Sequence, residues 1–302
     1  YIDASLLESD EKIREAALSY TVFGRVTPKQ KQKIIRALQD EGHTVAMTGD
    51  GVNDILAMKD ADCSIAMASG SEAATQAAQV VLLDSDFSHM PELVYEGRRV
   101  VNNIERSASL FLVKNIFSLL LSLVSAVFMF TYPLEPAQIS IVGMFTIGIP
   151  GFLLALEPGK ERIRGHFLKN VLLKALPGGL TDVIIVFAIV VCGSVFSISK
   201  ESISTIATMV MSVVGFMILC KISFPLDLRK CSIIFLNIAG LIFTGIFLGK
   251  FFALTDLSGM SVLFMVIFGF VAESLFRNLT VLVEKTKNLY NKIKTKLEIK
   301  KK

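Results

Sequence analysis

Apolar and polar positions change character near residue 108. Upstream, short apolar stretches bounded by glycine, aspartate and serine alternate with segments whose apolar residues recur at helical spacing. Thr27-Pro28 predicts a helix over 29–41, with Thr27 as N-cap and Pro28 at the first position. Ile34, Ile35 and Leu38 supply its apolar stripe, and Gly42 its stop. A strand over 44–47 leads into Thr48-Gly49-Asp50-Gly51-Val52-Asn53-Asp54 and a helix to about residue 60. A strand over 63–68, a helix over 71–79 and a strand over 80–83 complete the segment. Strands alternating with helices at this spacing predict an α/β fold with a parallel sheet and crossover helices. The segment is short for a complete domain, so further strands are expected upstream of Tyr1.

Downstream, hydrophobic runs occupy roughly 109–131, 137–156, 174–197, 203–220, 231–249 and 258–276. Each approaches or exceeds the ~20 residues a helix needs to cross a ~30 Å hydrocarbon layer. Six in series predict an all-α, six-helix transmembrane domain. Lys160, Arg162, Arg164 and Lys169 lie between the second and third runs, Lys221, Arg229 and Lys230 between the fourth and fifth, and a lysine-rich tail after the sixth. The alternate loops, such as 131–138, are poor in Lys and Arg. Positive residues gather on the cytoplasmic side, which places the α/β segment, the basic loops and both ends there. The expected organisation is 1–108, 109–280 and a basic tail over 281–302. That tail reads as a solvated helix end, with an anionic-lipid contact as the alternative.

Composition agrees. The 302 residues are 52% hydrophobic, with a mean hydropathy of +0.59. The net charge of +4 sits beside the membrane segments and gives no reason to expect nucleic-acid binding. Cys63, Cys192, Cys220 and Cys231 form no metal-binding spacing and read as small buried residues or reduced thiols. The chain opens Tyr1-Ile2-Asp3, without a methionine or a signal peptide, as a fragment would.

The run 48–54 places two carboxylates and an amide where a buried strand ends. In open α/β sheets that position hosts Mg²⁺ and phosphate chemistry. Phosphoryl transfer needs charge neutralisation and positioning more than covalent help. Asp50 is suited to bind Mg²⁺, Asp54 to orient the ion or its waters, and Asn53 to donate to a phosphate oxygen. A lysine of the preceding helix would neutralise the transferring group. Taken singly, the run is also an ordinary Asp/Asn/Gly turn, and Lys29, Lys31, Lys33 and Arg36 are also an exposed helix face.

Arg25-Val26-Thr27-Pro28, Lys31 and Met47 through Asp54 together resemble the phosphorylation domain of P-type ATPases, within the haloacid-dehalogenase-like superfamily. The resemblance continues through Ile65-Ala66-Met67, Leu82 to Phe87, Glu96-Gly97-Arg98 and Asn102-Asn103, and on into six spans that match the family's M5 to M10. It implies a partial Rossmann-like α/β domain followed by the membrane helices. It also implies Mg²⁺ and ATP as cofactors and a single-chain pump acting on a cation in a lipid bilayer. By position it puts the catalytic lysine on Lys31, the Mg²⁺ aspartate on Asp50, and the phosphate-site Asn and Asp on Asn53 and Asp54, the latter also beside the metal. Arg25, Thr48, Gly49 and Gly51 fall in the cofactor-binding region. The family's phosphorylated DKTGT aspartate, its nucleotide-binding and actuator domains and its first four spans are not in this sequence. The chain alone is therefore expected to be inactive.

Polar residues within spans default to functional candidates. Asn115 and Ser118 are three apart and share a helix face. In the second span, Pro150 removes a hydrogen bond and frees the Thr146 carbonyl, a reasonable ligand for a hard cation. In family terms Asn115 and Thr146 match residues of the calcium-pump site. Ser118 stands where a glutamate is usual, and Gly143 and Ile147 replace an asparagine and an aspartate. A negative ligand would come from the absent fourth span or from Glu157. Lys114 reads either as a lysine snorkelling to the interface or as a built-in counter-charge. The stretch 146–158 resembles the bacterial E-type cation-transporting ATPases, which implies calcium efflux across a bacterial plasma membrane. Pumps for Mn²⁺, Mg²⁺, a polyamine or a lipid, and a non-catalytic membrane scaffold, are the alternatives.

Overall fold

In a computed structural model, residues 1–156, 162, 163 and 165–301 are described, with side chains to 290 and at 292. The expectation for Glu157 lies outside them. The chain forms two compact units, Tyr1–Val94 and Tyr95–Lys302.

The first unit holds two parallel sheets. The smaller pairs β1 (Ile2–Asp3) with β2 (Phe23–Gly24). Between them runs α1 (Asp10–Ser19), capped by Ser9, whose hydroxyl accepts from the Lys12 N–H. Ala4, Leu7, Ile13 and Ala16 form its core with Phe23 and Ile34 packed against them. Next comes α2 (Pro28–Asp40), with Thr27 and Gln30 in a reciprocal capping box. Lys33 with Asp10 and Arg14 with Glu41 tie α1 to α2. The larger sheet runs β3–β4–β5, all parallel: β3 (Ala46–Gly49), β4 (Cys63–Met67) and β5 (Val80–Leu82). Ala46 pairs with Cys63, and Ile65 with Val80. The crossovers α3 (Ile55–Asp60) and α4 (Glu72–Ala77) bury Met58 and Ala74 against Ala66.

Two carboxylates pin α2 to this sheet. Arg36 Nε of α2 donates to Asp60 at 2.6 Å, and Asp62 accepts from Gln39 of α2 at 3.2 Å and from the Val45 N–H at 2.8 Å. The hydrogen bonds from Val45 and then Gln39 hold the Asp62 carboxyl below its ordinary 3.8. A depressed carboxyl stabilises the fold above its unfolded pKa and loses that contribution as pH falls through the folded value. Asp62→Asn should therefore lower the thermal midpoint of the chain at neutral pH. The difference from wild type should begin to shrink as pH falls below about 4 and vanish only below the depressed folded pKa, which paired melting curves would measure.

In the second unit, six helical segments among the described residues are long and apolar enough to cross a membrane. They are α5 (Met90–Phe128), a broken span Pro136–Ala155, α8 (Phe167–Val195), α9 (Lys200–Ser223), α10 (Leu228–Leu248) with the turn after it, and α11 (Gly259–Lys301). The broken span joins α6 (Pro136–Gly143) to α7 (Ile149–Ala155) through a π-helical turn, Met144–Gly148. Lipid supplies no hydrophobic drive between helices, so close packing and polar contacts must join them. Phe117, Leu121, Val186, Ile189, Ile206 and Val214 are all fully buried at the centre. Gly179 of α8 lies so close to α5 that a Cβ would come within 2.6 Å of Ile116.

A buried acid adds a specific tie. Glu105 of α5 accepts from Lys174 of α8 at 2.6 Å, and Asn170 donates to its other oxygen at 3.4 Å. Glu105→Ala should lower stability by about 1–2 kcal/mol, since Lys174 remains partly exposed. Thermal unfolding of the detergent-solubilised chain would show it.

Candidate functional site

The residues 48–54 leave β3 at its carboxyl end, the end at which parallel α/β sheets bind ligands. The backbone turns into a 3₁₀ segment, Val52–Asp54, and then α3. Two glycines make the turn possible. A Cβ on Gly49 would stand 2.6 Å from the Asp54 Cβ, and one on Gly70 would strike the Asp50 backbone. The Ser71 N–H donates to the Asp50 carbonyl at 2.7 Å, which fixes the turn against the loop after β4.

Within this frame Asp50 and Asn53 are exposed, Thr48 and Gly51 half-buried, and Gly49 buried. Asp54 is 8% exposed, and its Oδ1 accepts from Lys31 Nζ at 2.6 Å. Lys31 belongs to α2, so residues 23 apart in sequence meet here. The structure thus joins Lys31 and Asp54, which sequence reasoning assigned separately to phosphate and to metal. An aspartate of low exposure aims the ammonium without removing it from solvent. Arg25 lies elsewhere in its contacts: it has a left-handed backbone (φ 51°) and an ion pair with Asp3 at 3.6 Å.

The donor set suits Mg²⁺. That ion keeps several waters and takes one or two carboxylates, and Asp50 offers an exposed carboxylate on a fixed turn. Among the described residues no cluster of three or more His, Cys, Asp or Glu forms a closed metal cage.

The membrane unit contains a cavity of about 40 Å³. Its polar lining is Lys114 of α5, Thr146 of the π turn and Asp182 of α8, with Gly143, Ile147 and Gly215 alongside. Thr146 is 2% exposed, and its hydroxyl donates to the Val142 carbonyl at 2.7 Å. That bond uses its proton and leaves the oxygen lone pairs for another partner. The interruption anticipated from Pro150 takes the form of the π turn, with the Ile149 N–H reaching back to the Met144 carbonyl. π turns recur at functional sites. Lys114 Nζ would lie 3.9 Å from a Cβ at Gly143, so the lysine faces the broken span. Asn115 and Ser118 do not line this cavity. Asn115 is exposed, and Ser118 is directed to Tyr132.

Asp182 was missed in the sequence. It is the single acid in the run 174–197, and the rule that an ionisable residue inside a span is a functional candidate would have found it.

The chain thus combines a turn suited to metal-assisted phosphate chemistry with a largely apolar cavity among membrane-length helices into which three polar side chains open. Comparison with known proteins narrows this. Residues 4–62 match the haloacid dehalogenase-like hydrolase family. The chain is 40% identical over 255 residues to the probable cation-transporting ATPase exp7 of Streptococcus pneumoniae, covering 82% of this chain and 33% of that protein. It is 49% identical over 185 residues to the calcium-transporting ATPase CtpE of Mycolicibacterium smegmatis, covering 58% of this chain and 23% of the relative. It is 38% identical over 186 residues to the human calcium-transporting ATPase type 2C member 2, covering 60% and 19%. The chain thus carries a haloacid dehalogenase-like hydrolase domain and is similar, over most of its length, to cation-transporting ATPases of the P type. It spans a third or less of the length of these relatives.

Proposed function

We propose that this chain is the carboxyl-terminal part of an ATP-driven pump that couples formation and hydrolysis of an aspartyl-phosphate to calcium efflux across a bacterial plasma membrane. The observation that carries the reading is the Lys31–Asp54 contact of 2.6 Å beside the exposed Asp50 turn. In this reading Asp50 holds Mg²⁺ with Asp54 near it, and Asn53 donates to a phosphate oxygen. The Lys31 ammonium, held by Asp54, neutralises charge that develops on the transferring phosphoryl group. When bound, Mg²⁺ supplies further charge neutralisation at the same oxygens. Thr48, Gly49 and Gly51 contribute backbone close to the phosphate, and Arg25 sits at the edge of the nucleotide region. The phosphorylated aspartate comes from the remainder of a full-length protein, so this chain alone neither hydrolyses ATP nor forms a phosphoenzyme.

In the membrane unit, Thr146 binds the cation and Lys114 supplies a counter-charge, while Asn115 and Ser118, expected as ligands from the sequence, lie outside the cavity that Thr146 lines. Both ends of the chain face the cytoplasm, and the full-length protein acts as a single-chain pump. Calcium is favoured because two of the relatives above are calcium-transporting ATPases. The test is ATP-driven uptake into inverted vesicles by the full-length protein, across Ca²⁺, Mn²⁺, Mg²⁺ and a polyamine. Saturable uptake of Ca²⁺ above the others is expected. Selective uptake of another cargo would reassign the substrate, and no uptake of any would defeat the pump reading.

A further inference from the structure

A carboxylate inside a span is tolerated when a partner neutralises it, and buried polar atoms in folded proteins almost always have a hydrogen-bond partner. Asp182 departs from both expectations. It occupies the middle of α8 and is 5% exposed. Its Oδ1 is buried without a hydrogen-bond partner among the described residues. The neighbouring Thr181 hydroxyl is committed to the Pro177 carbonyl at 2.7 Å and offers no proton. What Asp182 does border is the cavity shared with Thr146 and Lys114.

We propose that Asp182 is the carboxylate ligand of the membrane cavity, binding a hard divalent cation together with the hydroxyl oxygen of Thr146. The inference rests on the pump reading above and adds to it an acid from α8. The family resemblance alone points for that charge to a fourth span or to Glu157. Lone pairs of Thr146 and the open Oδ1 of Asp182 supply two oxygens of the kind such ions take, with waters and other chain oxygens completing the set. A cavity of about 40 Å³ has room for a largely dehydrated ion with one or two waters. That size favours Ca²⁺ over Mg²⁺, which gives up its waters reluctantly. Lys114 lines the same space, so its ammonium and the entering cation compete for one carboxylate.

The experiment uses the full-length protein in lipid nanodiscs. Half-saturating Ca²⁺ for ATPase activity is measured for wild type, Asp182→Asn and Asp182→Glu. In parallel, wild-type protein is treated with dicyclohexylcarbodiimide with and without Ca²⁺, and the modified residue is located by mass spectrometry. We expect Asp182→Asn to weaken Ca²⁺ activation by about tenfold or more, with part of the loss recovered by Asp182→Glu. We also expect carbodiimide to modify Asp182 and Ca²⁺ to protect it. Wild-type affinity in Asp182→Asn, no modification at Asp182, or modification that Ca²⁺ leaves unchanged would each overturn the proposal. If Asp182→Asn does not fold, the wild-type protection result decides. Absence of any cation-stimulated ATPase in wild type defeats the pump reading instead, and the protection arm still reports whether Asp182 binds the ion.

Discussion

Replacing Lys31 by alanine in the full-length protein is expected to slow phosphoryl transfer from ATP by about 100- to 1,000-fold, the range found when one preorganised charge donor is removed. The expectation follows from geometry. Lys31 is carried on a capped helix, and its ammonium is aimed by a buried carboxylate at 2.6 Å. Little reorganisation is then needed when charge develops. Asp54→Asn should reproduce part of the loss, because Lys31 remains but is no longer aimed. The double variant should lose much less than the two single losses combined, since the residues act as a unit. Rapid-quench measurement of labelled phosphoenzyme would show this. Additive losses would mean that Asp54 acts independently of Lys31.

The second large effect is expected at Gly215. A Cβ there would lie 2.7 Å from Thr146 Cγ2 and 2.8 Å from its Cβ. Gly215→Val places two further methyl groups into that contact, next to the cavity. Overpacking of this kind costs roughly 1–3 kcal/mol in stability. Because Thr146 sits on a π turn, the strain is expected to be relieved by moving it. Cation affinity should fall about tenfold or more, a change of about 1.4 kcal/mol in binding. Gly215→Ala should give a smaller loss in the same direction. Cation titrations of ATPase activity, paired with melting curves, separate the two effects. A variant that loses stability and keeps wild-type affinity would show that Thr146 is not a ligand.

The most legible parts of the fold were those whose signals are local. Thr27-Pro28 marked the start of α2, and the 48–54 run marked the turn after β3, because caps and glycine turns are written in adjacent residues. The six apolar runs foretold the membrane helices, although their ends shifted. Helix α11 continues to Lys301, well beyond its apolar run, whereas the start of α5 at Met90 agrees with a helix expected from about residue 88 through Asn102-Asn103 into the first span. Polar helix turns carry no hydropathy signal. The sheet of β1 with β2 was invisible for a different reason: two-residue strands have no periodicity to read.

The site was legible as residue types and less so as contacts. Sequence reasoning named Lys31 and Asp54 but not the pair they form, and it named Lys114 and Thr146 but not the acid facing them. Glu105 with Lys174, 69 residues apart, is likewise a tertiary fact. Asp182 differs from these, since one acid in an otherwise apolar span is visible without any structure.

The central claim is that a phosphate site of the kind formed around Asp50 and Lys31 is driven by a cation bound among these membrane helices. The most direct measurement is the incorporation of label from γ-labelled ATP into the full-length protein, titrated with Ca²⁺ in the presence of Mg²⁺. The account predicts an acid-stable, hydroxylamine-sensitive phosphoenzyme that rises saturably with Ca²⁺ and is lost in Lys31→Ala. Labelling that is independent of every cation tested, or undiminished in Lys31→Ala, would contradict it.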